Sequence, residues 1–153
     1  MLQEGQVTPD FSLKNENDET VTLSQLRGRK VVLYFYPKDN TSGCTKEACG
    51  FRDLSAEFEK VNTIILGVSP DSVKSHQNFR SKFELPFHLL SDENKEVVQL
   101  YGVWKEKSMY GRKYMGVERT TFVIDQRGTL RKVFPKVKVA QHPDRVLGFV
   151  RAL

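Results

Sequence analysis

The sequence predicts a three-layer α/β domain in which a mixed sheet lies between two layers of helices. Three observations support this fold class. Two apolar, β-rich segments flank a helical pattern, further strand and helix patterns alternate after them, and two late strand patterns are joined by a short turn. Such alternation is typical of a sheet covered on both faces. A chain of 153 residues fits a single domain of this type, which we assign to residues 1–153.

The first strand, helix and strand form the centre of this prediction. KVVLYFYP at 30–37 and NTIILGVS at 62–69 are apolar runs that predict buried strands. Between them, apolar residues recur at three- and four-residue steps and predict one long helix: Cys44, Ala48, Phe51, Leu54 and Phe58. This order predicts a parallel pair of strands with a right-handed crossover.

A second helix and a short strand follow. Ser69 and Pro70 predict a helix start, with Ser as the cap and Pro at the first helical position. The buried side of that helix would carry Val73, Phe79 and Phe83. FHLLSD at 87–92 then predicts a short strand before a helix that ends near Tyr101.

The last elements are a hairpin and a helix. TTFVID at 120–125 and TLRKVFP at 129–135 surround a turn of Gln126, Arg127 and Gly128, which predicts an antiparallel hairpin. The final helix begins near residue 142 or 143 and is expected to bury Val146, Phe149 and Val150.

Composition excludes several classes of protein. Apolar residues make up 39% and charged residues 28%, as in soluble globular proteins, and no apolar stretch approaches the roughly 18 residues of a membrane span. The N-terminus has no apolar signal region and is not Arg-rich. Two cysteines are too few for the disulfide framework of a secreted domain. We therefore expect a cytoplasmic protein with no membrane partner.

The net charge of +5 raises the question of nucleic-acid binding, because basic residues gather at 105–114 and 130–139. In the second segment Lys and Arg alternate with apolar residues, which is typical of the solvent face of an edge strand. The chain has no zinc-finger, bZIP or RNP-type signature. We expect no nucleic-acid partner.

The only two cysteines lie five residues apart within FYPKDNTSGCTKEAC at 35–49. Cys44 follows three residues of capping and turn type, so it falls in the first turn of the predicted helix. Unpaired N–H groups and the positive end of the helix dipole then favour its thiolate, the nucleophilic form. Cys49 lies about 140° further around the helix, on its polar face, and is expected to be more exposed.

Four interpretations of this pair compete: small core residues, half of a metal site, a structural disulfide, or a redox pair. In an intact helix the two Cα atoms lie roughly 8.7 Å apart, beyond the limit of about 7 Å for a disulfide. A bond would therefore require the first turns to unwind. None of the three histidines lies at ligand spacing from a cysteine, which disfavours a metal site. Core residues and a redox pair both remain possible.

PKDNTSGCTKEAC resembles the active-site segment of the peroxiredoxins, whose pattern of Pro, three residues, Thr, two residues and Cys falls on Pro37, Thr41 and Cys44. The second cysteine, within GCTKEACGFRD, is similar to the peroxiredoxin Q or bacterioferritin comigratory protein subfamily. GQVTPDFSL near the start and YGVWKEKSMYGRKYMGVERTTFVID late in the chain extend the resemblance. Gly50 departs from it, since a polar residue is expected there. The resemblance implies a thioredoxin-like fold and a thiol peroxidase.

The resemblance also implies roles for individual residues. The Cys44 thiolate would attack a hydroperoxide and become a sulfenic acid. Thr41 would orient the peroxide and hold the sulfur, and the N–H groups of Gly43 and Cys44 would donate to it. Arg119 would supply the cation that stabilises the thiolate and the departing oxygen.

Pro37 would keep water from the sulfur, and Glu47 would hold Arg119 in place. Each residue also has a purely structural interpretation: Thr41 as a helix cap, Pro37 as a strand stop, Arg119 as a surface charge and Glu47 as a solvated helix residue. Their occurrence together, in the family's order, favours the catalytic interpretation.

For turnover, the resemblance implies that Cys49 resolves the sulfenic acid of Cys44 as an intramolecular disulfide, after the helix start unwinds. Gly43 and Gly50 are predicted to lower the cost of that opening, because Gly weakens helices. Thioredoxin or a similar dithiol protein would reduce the disulfide. This describes an atypical two-cysteine, thioredoxin-dependent peroxiredoxin, expected to be a monomer without metal, flavin or haem.

Two other classes are weighed against the peroxidase. A disulfide oxidoreductase would use two cysteines separated by two residues, a spacing that this chain lacks. A binding or chaperone module with incidental cysteines would consume no peroxide. Trp104 and Met109, expected in a loop before the final hairpin, could line the substrate pocket, form a partner surface or pack on the core.

Overall fold

The computed structural model describes residues 2–153. Its strands are β1 (Ser12–Lys14), β2 (Thr20–Thr22), β3 (Lys30–Phe35), β4 (Thr63–Ser69), β5 (His88–Ser91), β6 (Trp104–Met109), β7 (Arg112–Val117), β8 (Thr120–Ile124) and β9 (Leu130–Phe134). Its helices are α1 (Ser42–Asp53), α2 (Ser55–Lys60), α3 (Val73–Phe83), α4 (Glu96–Leu100) and α5 (His142–Arg151), and a short 3-10 helix covers Leu23–Leu26.

Seven strands form one mixed sheet in the order β2-β1-β5-β4-β3-β8-β9. The central strands β3, β4 and β5 run parallel, whereas β8 pairs antiparallel with β3 and with β9. All six residues of β3 are buried, which explains why its sequence is a continuous apolar run. The parallel β3–α1–β4 connection and the late antiparallel hairpin are both confirmed.

The two faces of the sheet carry separate hydrophobic clusters, because successive side chains of a strand point to opposite faces. Val31, Leu33 and Phe35 of β3 pack in one cluster with Val97 and Val98 of α4. The other cluster joins the opposite face of the sheet to α1, α2, α3 and α5, through residues that include Val32, Tyr34, Cys44, Phe51, Phe58, Phe79 and Val146. The predicted three-layer α/β fold is confirmed.

Two helix predictions need correction. The single long helix is in fact α1 and α2, separated at Leu54, whose ψ of 3° leaves the helical region. The next helix starts at Val73 and not at Pro70. Ser72 is its cap and accepts a hydrogen bond from the Ser75 N–H at 3.1 Å. Ser69 ends β4, and its hydroxyl donates to Asp71 over 2.6 Å.

The prediction of a loop before the final hairpin is wrong as well. It forms a separate two-stranded sheet, in which β6 and β7 pair antiparallel. Trp104 packs partly buried against the core, whereas Met109 at the other end of β6 is 56% exposed. The basic strand β9 lies at the edge of the large sheet, as predicted. Within residues 2–153, the helices are too short or too polar to cross a bilayer.

Candidate active site

Cys44 lies at the N-terminus of α1, directly after the loop that follows β3. Thr41 is the cap residue with extended backbone (φ −91°, ψ 159°), and the first helical hydrogen bond runs from the Thr45 N–H to the Thr41 carbonyl at 2.8 Å. The N–H groups of Ser42, Gly43 and Cys44 precede that bond and therefore have no carbonyl partner within the helix. The start of α1 thus presents backbone donors and the positive end of the helix dipole beside the sulfur.

The two cysteines differ in burial. Cys44 is 1% exposed and packs in the cluster of Tyr34 and Ala48, whereas Cys49 is half-buried. Both are free thiols in an unbroken α1, so the prediction that the intact helix keeps them apart is confirmed.

Arg119 provides a cation at the Cys44 sulfur. It lies between β7 and β8, and its carbonyl accepts a hydrogen bond from the Val137 N–H at 2.9 Å. Its Nη2 donates to Cys44 Sγ over 3.3 Å, and its Nη1 donates to Glu47 Oε1 over 2.7 Å. The side chain is 16% exposed, which excludes the interpretation of a free surface charge. Arg119 therefore joins the sulfur to a carboxylate.

Glu47 is completely buried one turn beyond Cys44, so it is not a solvated helix residue. Its predicted contact with Arg119 is present, but its Oε2 has no hydrogen-bond partner within the described residues. Burial raises the pKa of Glu47 to about 7, although the charge and hydrogen bond of Arg119 act in the opposite direction. The carboxyl group is therefore poised to titrate near neutral pH.

His142 is a neighbour of this network that the sequence did not indicate. Its Nε2 lies 4.0 Å from Glu47 Oε2 and 2.8 Å from Thr121 Oγ1. Burial, Arg119 and Arg145 lower the pKa of His142 to about 4, so the ring is neutral at neutral pH. No motif spacing links residue 142 to residue 47, because α5 and α1 meet only through tertiary packing.

Two glycines of α1 allow close approach of other groups. A Cβ on Gly43 would lie 3.2 Å from Nη2 of Arg119, and a Cβ on Gly50 would lie 2.8 Å from Cγ of Pro143. Gly50 thus departs from the expected polar residue for a packing reason, since α5 begins against it. These contacts add a second reason for glycine at positions where helix weakening was predicted.

The structure corrects one prediction for Thr41. Its hydroxyl is exposed and donates to the carbonyl of Lys38 over 2.9 Å. A hydroxyl has a single proton to donate, so Thr41 does not also donate to the Cys44 sulfur in this structure. Its oxygen can still accept a hydrogen bond from a peroxide. Pro37, partly buried, follows Tyr36 at the start of the loop that leads into α1.

This arrangement suits a nucleophilic displacement at a small polar substrate. A sulfur nucleophile, a fixed guanidinium and unpaired N–H donors converge at one helix start, where they stabilise negative charge on a departing atom. A different cluster brings ligand-type atoms of Asp39, Asp71 and His76 within 4.8 Å of one another. Its side chains are hydrogen-bonded within the protein and lie outside the Cys44 network.

Known proteins are similar to this chain over most of its length. The profile of the AhpC/TSA family matches residues 5–133. The chain is 49% identical to peroxiredoxin Bcp of Bacillus subtilis (strain 168) over 92% of this chain and 90% of that protein. It is 41% identical to peroxiredoxin Bcp of Escherichia coli (strain K12), over 98% and 96%.

Solved structures are similar along nearly the whole chain. A mutant of Xylella fastidiosa PrxQ superposes with a TM-score of 0.95 at 36% identity, covering 99% of this chain and 97% of that one. The bacterioferritin comigratory protein of Xanthomonas campestris, studied for its alkyl peroxide reduction activity, superposes with a TM-score of 0.89 at 43% identity, covering 93% and 90%.

Proposed function

This chain belongs to the AhpC/TSA family as a thiol peroxidase of the Bcp or peroxiredoxin Q type, and we propose that Cys44 is its peroxidatic residue and Cys49 its resolving residue. Its substrates are hydrogen peroxide and organic hydroperoxides, including alkyl peroxides. The observation that carries the assignment is the pair of hydrogen bonds by which Arg119 joins the buried Cys44 sulfur to Glu47.

In the first step the Cys44 thiolate attacks the terminal oxygen of the hydroperoxide. The S–O bond forms as the O–O bond breaks, so the sulfur is oxidised to sulfenic acid and the peroxide is reduced. The leaving oxygen departs with the electron pair and takes a proton from solvent water to become water or an alcohol. Negative charge therefore moves from the sulfur to the departing oxygen.

The groups around Cys44 match this movement of charge. Arg119 faces the sulfur and can stabilise both the thiolate and the leaving oxygen. The N–H groups of Gly43 and Cys44 add donors that need no reorganisation. The Thr41 hydroxyl oxygen accepts a hydrogen bond from the peroxide O–H and so orients the substrate, and Pro37 limits the access of water to the sulfur.

In the second step the Cys49 sulfur attacks the sulfenic acid, and a disulfide and water are formed. The intact α1 holds the two cysteines too far apart for a bond, so its first turns unwind before this step. Half-burial of Cys49 favours the later exchange, because an accessible sulfur reacts with an incoming thiolate.

A thiol reductant completes the cycle, and we assign this role to thioredoxin or a similar dithiol protein. Exchange through a mixed disulfide returns both cysteines to thiols. We propose that the enzyme works as a monomer, because one chain carries both cysteines and the whole Arg119 network. We also propose that it works in the cytoplasm, a reducing compartment in which its two cysteines return to thiols.

Mass spectrometry of the reduced protein after one equivalent of hydrogen peroxide tests the assignment. The wild type should lose two hydrogens, and Cys49→Ser should gain one oxygen on Cys44. Cys44→Ser is the matched control and should do neither. Persistence of two unreacted thiols in the wild type would refute the proposed function.

A further inference from the structure

A largely buried polar cluster under the active-site loop has no part in the reaction described above. We call it the loop clamp: Tyr36, Asp39, Asp71, Ser75 and His76. Tyr36 directly follows β3, Asp71 follows β4, and the other two partners of Asp39 lie on α3. The clamp therefore ties the loop before α1 to the carboxyl ends of the parallel strands, the edge at which α/β sheets place their functional sites.

Asp39 is the centre of the clamp and lies within the loop, as does Tyr36. Its carboxylate accepts hydrogen bonds from the Tyr36 hydroxyl at 2.5 Å, the Ser75 hydroxyl at 2.8 Å and His76 Nδ1 at 2.7 Å. Its N–H donates to Asp71 Oδ2 over 2.8 Å. Burial and the charge of Asp39 raise the pKa of Tyr36 well above its ordinary value, so the hydroxyl remains a donor. Asp39 lies two positions before Thr41 and five before Cys44.

His76 is fully buried and connects Asp39 to β5. Its Nε2 lies 3.0 Å from the Leu90 carbonyl, which can only accept, so Nε2 carries a proton. Its Nδ1 lies 2.7 Å from the Asp39 carboxylate, so the ring contacts the loop on one side and β5 on the other. The ring thus cross-links the loop to the sheet from inside α3.

From these contacts we propose that His76 is a positioning residue for the peroxidase reaction, acting through Asp39 to hold the loop and the start of α1 in the form that reacts with peroxide. The inference rests on the proposed function, because it concerns the same Cys44. The reaction uses two arrangements of this segment: folded for the attack on peroxide and unwound for the bond to Cys49. A clamp on the loop stabilises the first arrangement relative to the second.

The consequence is an effect of opposite sense on the two chemical steps. Loosening the clamp lowers the fraction of protein in which Cys44, Thr41 and Arg119 are correctly placed, so oxidation of Cys44 slows. The same change raises the fraction in which α1 is unwound, so disulfide formation is equally fast or faster. A residue that merely stabilised the fold would not separate the two steps.

Two variants of His76 distinguish its two contacts. In His76→Gln the side-chain amide reaches the position of Nε2 and can donate to Leu90, but Asp39 loses its contact with residue 76. In His76→Asn the amide lies at the position of Nδ1 and can donate to Asp39, but the contact with Leu90 is lost. Stopped-flow measurement of Cys44 oxidation, followed by measurement of disulfide formation, gives both rate constants for each variant.

We expect His76→Gln to slow oxidation of Cys44 by about tenfold without slowing disulfide formation, and His76→Asn to stay within about threefold of wild type. If the buried substitutions prevent folding, Ser75→Ala removes another donor to Asp39, and we expect the same separation with about threefold slower oxidation. Equal oxidation rates in the wild type and in these variants would overturn the proposal, as would parallel slowing of both steps. An unreactive wild-type Cys44 would instead refute the proposed function.

Discussion

Arg119 donates a hydrogen bond to the Cys44 sulfur at 3.3 Å although the two residues are 75 positions apart in the chain. The same guanidinium donates to the buried Glu47, so one cation serves the nucleophile and a carboxylate together. Arg suits this position because its planar group carries several donors in fixed directions, whereas Lys presents a point charge. After Cys44 itself, Arg119 is therefore the side chain of the site whose removal should slow the reaction most.

Replacement of Arg119 by Met should lower the rate constant for oxidation of Cys44 by about 10²–10³-fold, the cost typical of losing one preorganised donor to developing charge. Stopped-flow kinetics with hydrogen peroxide measures it. The single variant also leaves Glu47 buried without its partner, which should cost stability.

The matched control for this prediction is Arg119→Met combined with Glu47→Gln. It should recover stability but not the oxidation rate. Recovery of both would mean that Arg119 acts on the fold rather than on the sulfur.

The second prediction concerns the pH dependence of stability. Burial raises the pKa of Glu47 from 4.5 to about 7, so the folded state holds its proton longer and stability falls as pH rises between these values. Burial lowers the pKa of His142 from 6.5 to about 4, so stability rises with pH over that range. In the wild type, Glu47 and His142 therefore change the free energy of unfolding in opposite directions as pH rises.

Single variants should separate these two contributions. In Glu47→Gln the contribution of His142 is no longer opposed by Glu47, and it should raise the free energy of unfolding by up to about 3 kcal/mol between pH 4 and 6.5. In His142→Gln the free energy of unfolding should fall by a similar amount between pH 4.5 and 7. Urea unfolding at a series of pH values measures both, and parallel curves for the wild type and the two variants would contradict the opposing shifts.

Gly50→Ala should destabilise the protein by about 1–3 kcal/mol, because the added methyl group would lie 2.8 Å from Pro143 Cγ. Helix propensity alone predicts the opposite, a gain of about 1 kcal/mol. Pro143→Ala is the matched background, in which Gly50→Ala should become neutral or stabilising. Thermal or urea unfolding of the four proteins gives the coupling between the two positions.

The same set of proteins tests whether Gly50 eases the opening of α1. In the Pro143→Ala background, Gly50→Ala should slow amide hydrogen exchange in α1 and slow disulfide formation. Unchanged exchange and turnover would show that Gly50 serves only the contact with α5.

Gly43→Ala should affect catalysis more than stability. The methyl group would lie 3.2 Å from Nη2 of Arg119, so the guanidinium must shift away from the sulfur. We expect oxidation of Cys44 to slow by about tenfold, with a change in unfolding free energy below about 1 kcal/mol. Ser42→Ala, at an exposed neighbouring position, is the control and should oxidise at the wild-type rate.

Local patterns in the sequence determined much of this protein. The apolar runs of β3 and β4, with capping residues before Cys44, were sufficient to predict the parallel crossover and a cysteine at a helix N-terminus. Such features depend on neighbours within a few residues, whose steric and hydrogen-bonding preferences act locally. The burial of Glu47 could also have been predicted, since its spacing from Cys44 and Phe51 places it on the same face of α1 as these buried residues.

Only the tertiary structure decided which charges meet and at what cost. The contacts of Arg119 with Cys44, of His142 with Glu47 and of His76 with Asp39 join residues at least 37 positions apart, and no periodicity encodes them. The first of these contacts was expected only from the family resemblance. Desolvation, which sets the ionisation of Glu47 and His142, arises only when separate elements close around a side chain. The start of α3 likewise followed from the hydrogen bonds of Ser69 and Ser72, because several local caps competed and packing selected one.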